Sequence, residues 1–208
     1  MSFFEGNFIS GIIVKGGILM IPIILCSVIA LAIVIEKLIT LRRERVIPYT
    51  ALKKVESLIR ENNISDAQTL CKKNQSAMTR ILLAAINHRE SDRTEIKEMI
   101  EDAGRHEVLL LERYTTPLGT IASISPLLGL LGTVTGMIKV FTVIAFEGVG
   151  HPKALAGGIS EALITTAAGL AVAIPTLVFY NYFIAKSESL IAEMEKSSLR
   201  ILSLLKRG

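Results

Sequence analysis

The sequence predicts an all-α membrane protein with three transmembrane helices, two of them long and extending into the cytoplasm, and a helical cytoplasmic loop. Three observations carry this. First, charge is segregated. Half of the 208 residues are hydrophobic and one fifth are charged, yet the windows 16–35, 114–138 and 162–185 hold no Asp, Glu, Lys or Arg. The remaining 139 residues carry all 42 charges. Second, each window is long enough to span, because a helix rising about 1.5 Å per residue crosses the roughly 30 Å hydrocarbon core in about 20 residues. Third, apolar residues between the windows recur at helical spacing and never alternate as strands do. This segregation excludes a disordered chain, a collagen and an all-soluble enzyme. A membrane β-barrel needs short alternating segments instead.

The chain divides into 1–15, a short periplasmic N-terminus; 16–36, the first span; 37–113, a cytoplasmic helical domain; 114–140, the second span; 141–160, a periplasmic loop; 161–185, the third span; and 186–208, a cytoplasmic helical tail. The first span is too long for the apolar stretch of a cleaved signal, and Glu36, Lys37, Arg42, Arg43 and Arg45 follow it like a membrane stop. Only Lys15 precedes it, so the positive-inside rule puts the N-terminus outside. The segment 36–113 has 15 Lys/Arg and 13 Asp/Glu and belongs in the cytoplasm. The stretch 139–161 has only Lys139 and Lys153 as basic residues, while Lys186, Lys196, Arg200, Lys206 and Arg207 follow the third span.

In the cytoplasmic domain, Leu52, Val55, Leu58 and Ile59 form one helix face. Ser65 is expected to cap a helix over 66–73, and Ser76 one over 77–88. From Ser91 a strong helix begins, with Ile96, Met99 or Ile100, Ala103, Glu107 and Leu110 on one stripe. It is expected to continue into the second span, kinked at Pro117. The tail stays amphipathic through Leu190, Met194, Ser197, Ile201 and Leu204 or Leu205. Gly148, Val149, Gly150, His151 and Pro152 form the clearest turn.

No soluble-enzyme motif is present, and no cofactor or metal is implied: there is no Walker A, no H-E-x-x-H and no G-x-S-x-G, and His88, His106 and His151 stand singly. Cys26 and Cys71 read as unpaired thiols. The net charge of +4, with basic and acidic residues interleaved, does not suggest nucleic acid.

The candidate functional residues lie in the spans. In the second, Ala122, Ser125, Gly129, Gly132 and Gly136 form a small-residue face suited to close helix approach, either against another span of the same chain or between subunits. Thr133 and Thr135 sit beside it, bonding their own helix or lining an aqueous interior. In the third span, Glu161 is either an interfacial carboxylate favoured by a helix N-terminus or a buried one facing a partner or cavity. Thr165 shares its face, and Thr166 is rotated away. Pro126 and Pro175 lie inside spans, where freed carbonyls find partners on neighbouring helices. No span has a titratable group at its midpoint. A proton relay normally needs one, so any proton path requires a second protein to supply it.

The stretch PLLGLLGTVTGM at 126–137 resembles the second-span signature of the MotA/TolQ/ExbB proton-channel family. GISEALITTAAGLAVAIP at 158–175, followed by Tyr180 and Asn181, resembles its third span, and GGILMIP at 16–22 with IEKL at 35–38 its first. Three spans with a modest loop resemble ExbB or TolQ more than the four-span MotA. The resemblance implies a bacterial inner-membrane ring, a pentamer in ExbB-like members, around two copies of a single-pass ExbD- or TolR-type partner with a transmembrane Asp. It implies a TonB- or TolA-like transducer and proton flow that drives motion, for TonB-dependent uptake, Tol-Pal envelope maintenance or gliding. Glu161, Thr133 and Thr166 match the family's polar pore-facing positions, with Thr165 as the second choice beside Thr166. The alternative of another class is a non-conducting scaffold for a periplasmic transducer.

Overall fold

The computed structural model describes residues 16–149 and 152–206. The expected N-terminal segment 1–15, together with Gly150, His151 and the final two residues, lies outside these. Among the described residues there are eight helices and no strand: α1 (Met20–Thr40), α2 (Arg43–Val46), α3 (Tyr49–Arg60), α4 (Ile64–Lys73), α5 (Ala77–Asn87), α6 (Arg93–Glu112), α7 (Thr115–Glu147) and α8 (Pro152–Leu205). Three stretches are long and apolar enough to cross a membrane: Met20–Thr40, Arg93–Glu147 (which contains α6 and α7) and Pro152–Leu205. The chain forms two compact units. One holds the chain up to Ile35 and Tyr114–Asn181; the other holds Glu36–Arg113 and the chain from Tyr182 on.

The first unit is turned inside out relative to a water-soluble domain. Large apolar side chains point outward: Ile21, Leu25, Val28 and Leu31 on α1, Leu127, Leu130, Val134 and Phe141 on α7, and Leu163, Ile174 and Val178 on α8. The inward faces are small: Ala122, Ser125, Gly129, Gly132 and Gly136 of α7 are buried, as are Ala162, Thr165, Ala173 and Thr176 of α8. Lipid supplies no hydrophobic drive for helix association, so close van der Waals approach has to do it, and small residues permit that approach.

In the long apolar helices the structure differs from the sequence expectation at two places. The long helix does not run on through Pro117 but breaks at Arg113 and Tyr114, where Tyr114 takes a left-handed φ of 67°. Proline clashes with the carbonyl four residues earlier and cannot donate to it. For Pro117 that carbonyl belongs to Arg113, so the interruption falls there and Pro117 sits harmlessly in the first turn of α7. The segment 141–160, expected as a loop, is helical up to Glu147 and again from Pro152. Nothing between Lys139 and Glu147 breaks a helix. Only Gly148, with φ 73° and its N–H on the Ile144 carbonyl, stops α7, and Pro152 opens α8.

The second unit has an ordinary apolar core. Consecutive helices α3, α4, α5 and α6 pack on one another, burying Val55, Ala67, Leu82, Ile86 and Ile96, with Leu190, Met194, Ile201 and Leu202 from the end of α8. Cys71 joins the buried set as a free thiol, pushed up to about 11 by burial; Cys26 is also free. Ser76 caps α5 in a capping box with Thr79. The cap of α4 is Asn63 rather than Ser65, its side chain accepting from the Asp66 N–H. On α6 the buried stripe runs Ile96, Ile100, Glu107 and Leu111, leaving Leu110 exposed. Glu107 is buried because Arg80 Nε and Nη2 grip both its oxygens at 2.5 Å. The end of α8 is tied into this unit by Arg43 on Glu193, Arg200 on Glu56, and Lys206 Nζ on the Ser91 carbonyl at 2.6 Å.

Candidate functional site

The candidate residues converge on the hairpin of α7 and α8 in the first unit. The two helices run antiparallel through a ladder of close approaches. A Cβ on Gly136 would meet Ala162 Cβ and the Gly158 carbonyl, both at 2.8 Å; one on Gly132 would overlap Thr165 Oγ1; one on Gly129 would lie 3.0 Å from Thr166 Cα; one on Gly169 would lie 2.5 Å from the Ser125 carbonyl. The small-residue face thus packs on α8 of the same chain. Ser125 is completely buried there, and its hydroxyl makes no protein hydrogen bond among the described residues.

Glu161 sits more than two turns inside α8, so a helix N-terminus does not account for it, since that effect fades within the first turn. Its partner is Lys139 of α7, whose Nζ donates to Oε1 at 2.5 Å and to Oε2 at 2.8 Å. The Glu161 side chain is 19% exposed and that of Lys139 58%. Oε1 also occupies the place where a Cβ on Gly17 would stand, and Gly17 has φ 69° in the segment leading into α1. A side chain there would be both strained and in collision.

The threonines divide. Thr165 is 1% exposed; its hydroxyl donates to the Glu161 carbonyl at 2.8 Å and the Ala162 carbonyl at 3.0 Å, and its side chain fills the space beside Gly132. Thr166 remains partly exposed and donates across the hairpin to the Gly129 carbonyl at 2.8 Å. Thr133 and Thr135, also partly exposed, bond carbonyls of their own helix: Thr133 that of Leu130 at 2.7 Å, Thr135 those of Leu131 and Gly132 at 3.1 Å. Glu161, Thr165 and Gly132 are therefore brought together, Thr166 joins Gly129, and Thr133 keeps to α7. Pro126 lies within α7 and Pro175 within α8, both inside unbroken helix. Pro175 lines a cleft of about 340 Å³ with Ser27, Ala30, Leu31 and Phe179.

Sequence reasoning missed Lys139 and Gly17. The signal for Lys139 was present. Lys139 lies nine residues before Gly148 and Glu161 nine residues after Pro152, so an antiparallel hairpin between those helix ends sets them level.

The profile described as the MotA/TolQ/ExbB proton channel family matches residues 73–196. Among curated proteins, the chain is 36% identical over 175 residues to the putative biopolymer transport protein ExbB-like 3 of Synechocystis, covering 81% of each. It is 33% identical over 180 residues to ExbB-like 1 of the same organism, covering 82% of this chain and 68% of the relative. The Tol-Pal system protein TolQ of Pseudomonas aeruginosa is 47% identical over 81 residues, 39% of this chain and 35% of the relative.

Proposed function

The chain belongs to the MotA/TolQ/ExbB proton channel family, and on that premise we propose that it is the ring-forming subunit of a proton-driven inner-membrane motor that works with a single-pass partner of ExbD or TolR type. As a channel-family member with three stretches able to cross a membrane, it is a multi-pass membrane protein and not an enzyme. The observation that carries the finer reading is the placement of polar groups. Glu161, Thr133 and Thr166 each keep a partly exposed polar side chain on a largely apolar hairpin. No Asp, Glu, Lys, Arg or His occupies the middle of any span. An Asp supplied by the partner meets that need. Each elementary charge crossing then releases about 2.3 kcal/mol per 100 mV, which the assembly converts to movement.

In this reading five copies form the ring, with the N-terminus periplasmic and the C-terminus cytoplasmic. Thr166 and Thr133 hydrogen-bond the partner's carboxyl group as it takes up and releases its proton. Thr165 acts in helix packing, because Gly132 covers it. Glu161 sets the charge at the outer end of the path. The work served is TonB-dependent uptake; the local similarity to a TolQ protein favours Tol-Pal envelope maintenance as the second reading. The test is proton uptake into vesicles holding this chain with a single-pass protein of ExbD or TolR type from the same cell. Glu161→Ala is expected to reduce partner-dependent uptake at least tenfold while the ring still assembles. Full uptake in that variant removes Glu161 from the pathway.

A further inference from the structure

The role given to Glu161 treats its carboxylate as available, but both of its oxygens are occupied. Lys139 Nζ lies 2.5 Å from one and 2.8 Å from the other, and the backbone of Gly17 closes over Oε1 so tightly that no Cβ fits there. The carboxylate is held from two sides: by an ammonium group on α7 and by the left-handed turn before α1. The two restraints differ in kind. Gly17 is a steric wall. Lys139 is a charge on a flexible four-carbon stem whose side chain is more than half exposed, so it is able to swing away.

The level of the pair along the hairpin matters as well. At about 1.5 Å per residue, Glu161 lies roughly 7–8 Å from Thr166 along α8, and Lys139 about 9 Å from Thr133 along α7. The pair is thus a separate layer, nearer the α7–α8 turn than either threonine. Among the described residues of the hairpin nothing else offers Glu161 a positive charge at that level: Lys153 is more than two turns nearer the start of α8.

We propose that Lys139 is a positioning residue for Glu161, a tethered cation that keeps the carboxylate paired at the turn-side end of the hairpin and frees it only when the ammonium swings out. The inference rests on the reading of Glu161 given above, and deepens it. Glu161 then has two states, paired and free, and its availability to protons or to the partner is set by a side chain of its own subunit. The Thr166 layer is untouched by the exchange, because its hydroxyl is bonded across to Gly129.

The test uses the full chain in phosphatidylcholine vesicles without any partner, so its outcome is independent of proton flux. A hydrophobic carbodiimide, which adds to a protonated carboxyl group, is applied, and loss of unmodified Glu161, whether as N-acylurea adduct or as an amide cross-link to Lys139 with release of urea, is quantified by peptide mass spectrometry, with Glu161→Gln as background. Wild type and Lys139→Arg are expected to label slowly and alike. Lys139→Met is expected to label at least tenfold faster, with unchanged helicity and oligomer size. Equal labelling of wild type and Lys139→Met overturns the proposal. A second arm exchanges the charges. Lys139→Glu combined with Glu161→Lys is expected to restore the melting temperature lost in each single reversal; an exchange no better than the single reversals also overturns it. Loss of flux in Glu161→Ala, by contrast, bears only on the pathway, so the two readings fail separately.

Discussion

At Gly132 and Gly104 the same added methyl group meets opposite surroundings. Gly132 faces Thr165, and a Cβ would overlap that side chain, while around Gly104 of α6 nothing lies within 4 Å of the added atom. Overpacking a close helix contact costs about 1–3 kcal/mol, whereas replacing glycine by alanine in an open helix interior stabilises by roughly 1 kcal/mol. Gly132→Ala is therefore expected to lower the melting temperature of the detergent-solubilised protein and Gly104→Ala to raise it. A fall for both variants contradicts the assignment of Gly104 to open helix. At this scale the sequence was only half legible. The spacing of Gly129, Gly132 and Gly136 marked a packing face, but it left open whether the face met another subunit. That depends on which surface lies opposite, and no residue carries that information alone.

Helix ends show the same division between local and non-local causes. Ser76 was readable as a cap because the residue it serves, Thr79, lies three positions on and returns a bond. Ser65 misled because Asn62 turns the chain with a φ of 58° immediately after α3, so Asn63 is already in place to start α4 two residues earlier. Pro117 announced an interruption but not its position, which its ring displaces by four residues. The start of α6 permits a pH test. The backbone N–H groups of Arg93 and Thr94 and the Thr94 hydroxyl hold the Asp92 carboxyl below the usual carboxylate range. A lowered folded-state value means that its contribution is present above the unfolded value of about 3.9 and is lost as pH falls through the folded value below it. Asp92→Asn keeps a capping oxygen but cannot titrate. It is expected to be slightly less stable than wild type at pH 7 and to show a shallower acid decline, so that the two converge as pH falls. Identical melting-temperature profiles from pH 2.5 to 7 would show that the cap carries no such linkage.

For the molecule as a whole, the decisive fact is what the apolar stretches lack. With no acid at any midpoint, the chain reconstituted alone in vesicles is expected to pass protons no faster than lipid, and to conduct only with a single-pass partner of the proposed kind. Partner-independent flux would sink the two-protein reading. Number of spans, helical character and family were determined by the sequence alone, for a simple reason: the cost of placing charge in hydrocarbon and the length needed to cross it are properties of consecutive residues. The motifs at 126–137 and 158–175 carried the family for the same reason, being contiguous. Only the tertiary structure decided that Lys139 rather than open space meets Glu161, that Thr165 is covered while Thr166 stays accessible, and that Gly17 leaves room for a carboxylate. The first two outcomes follow from the register of two antiparallel helices, the third from where the turn before α1 meets them. Register is set by many small approaches between residues some 20 to 45 positions apart, each too weak to be read from its own neighbourhood.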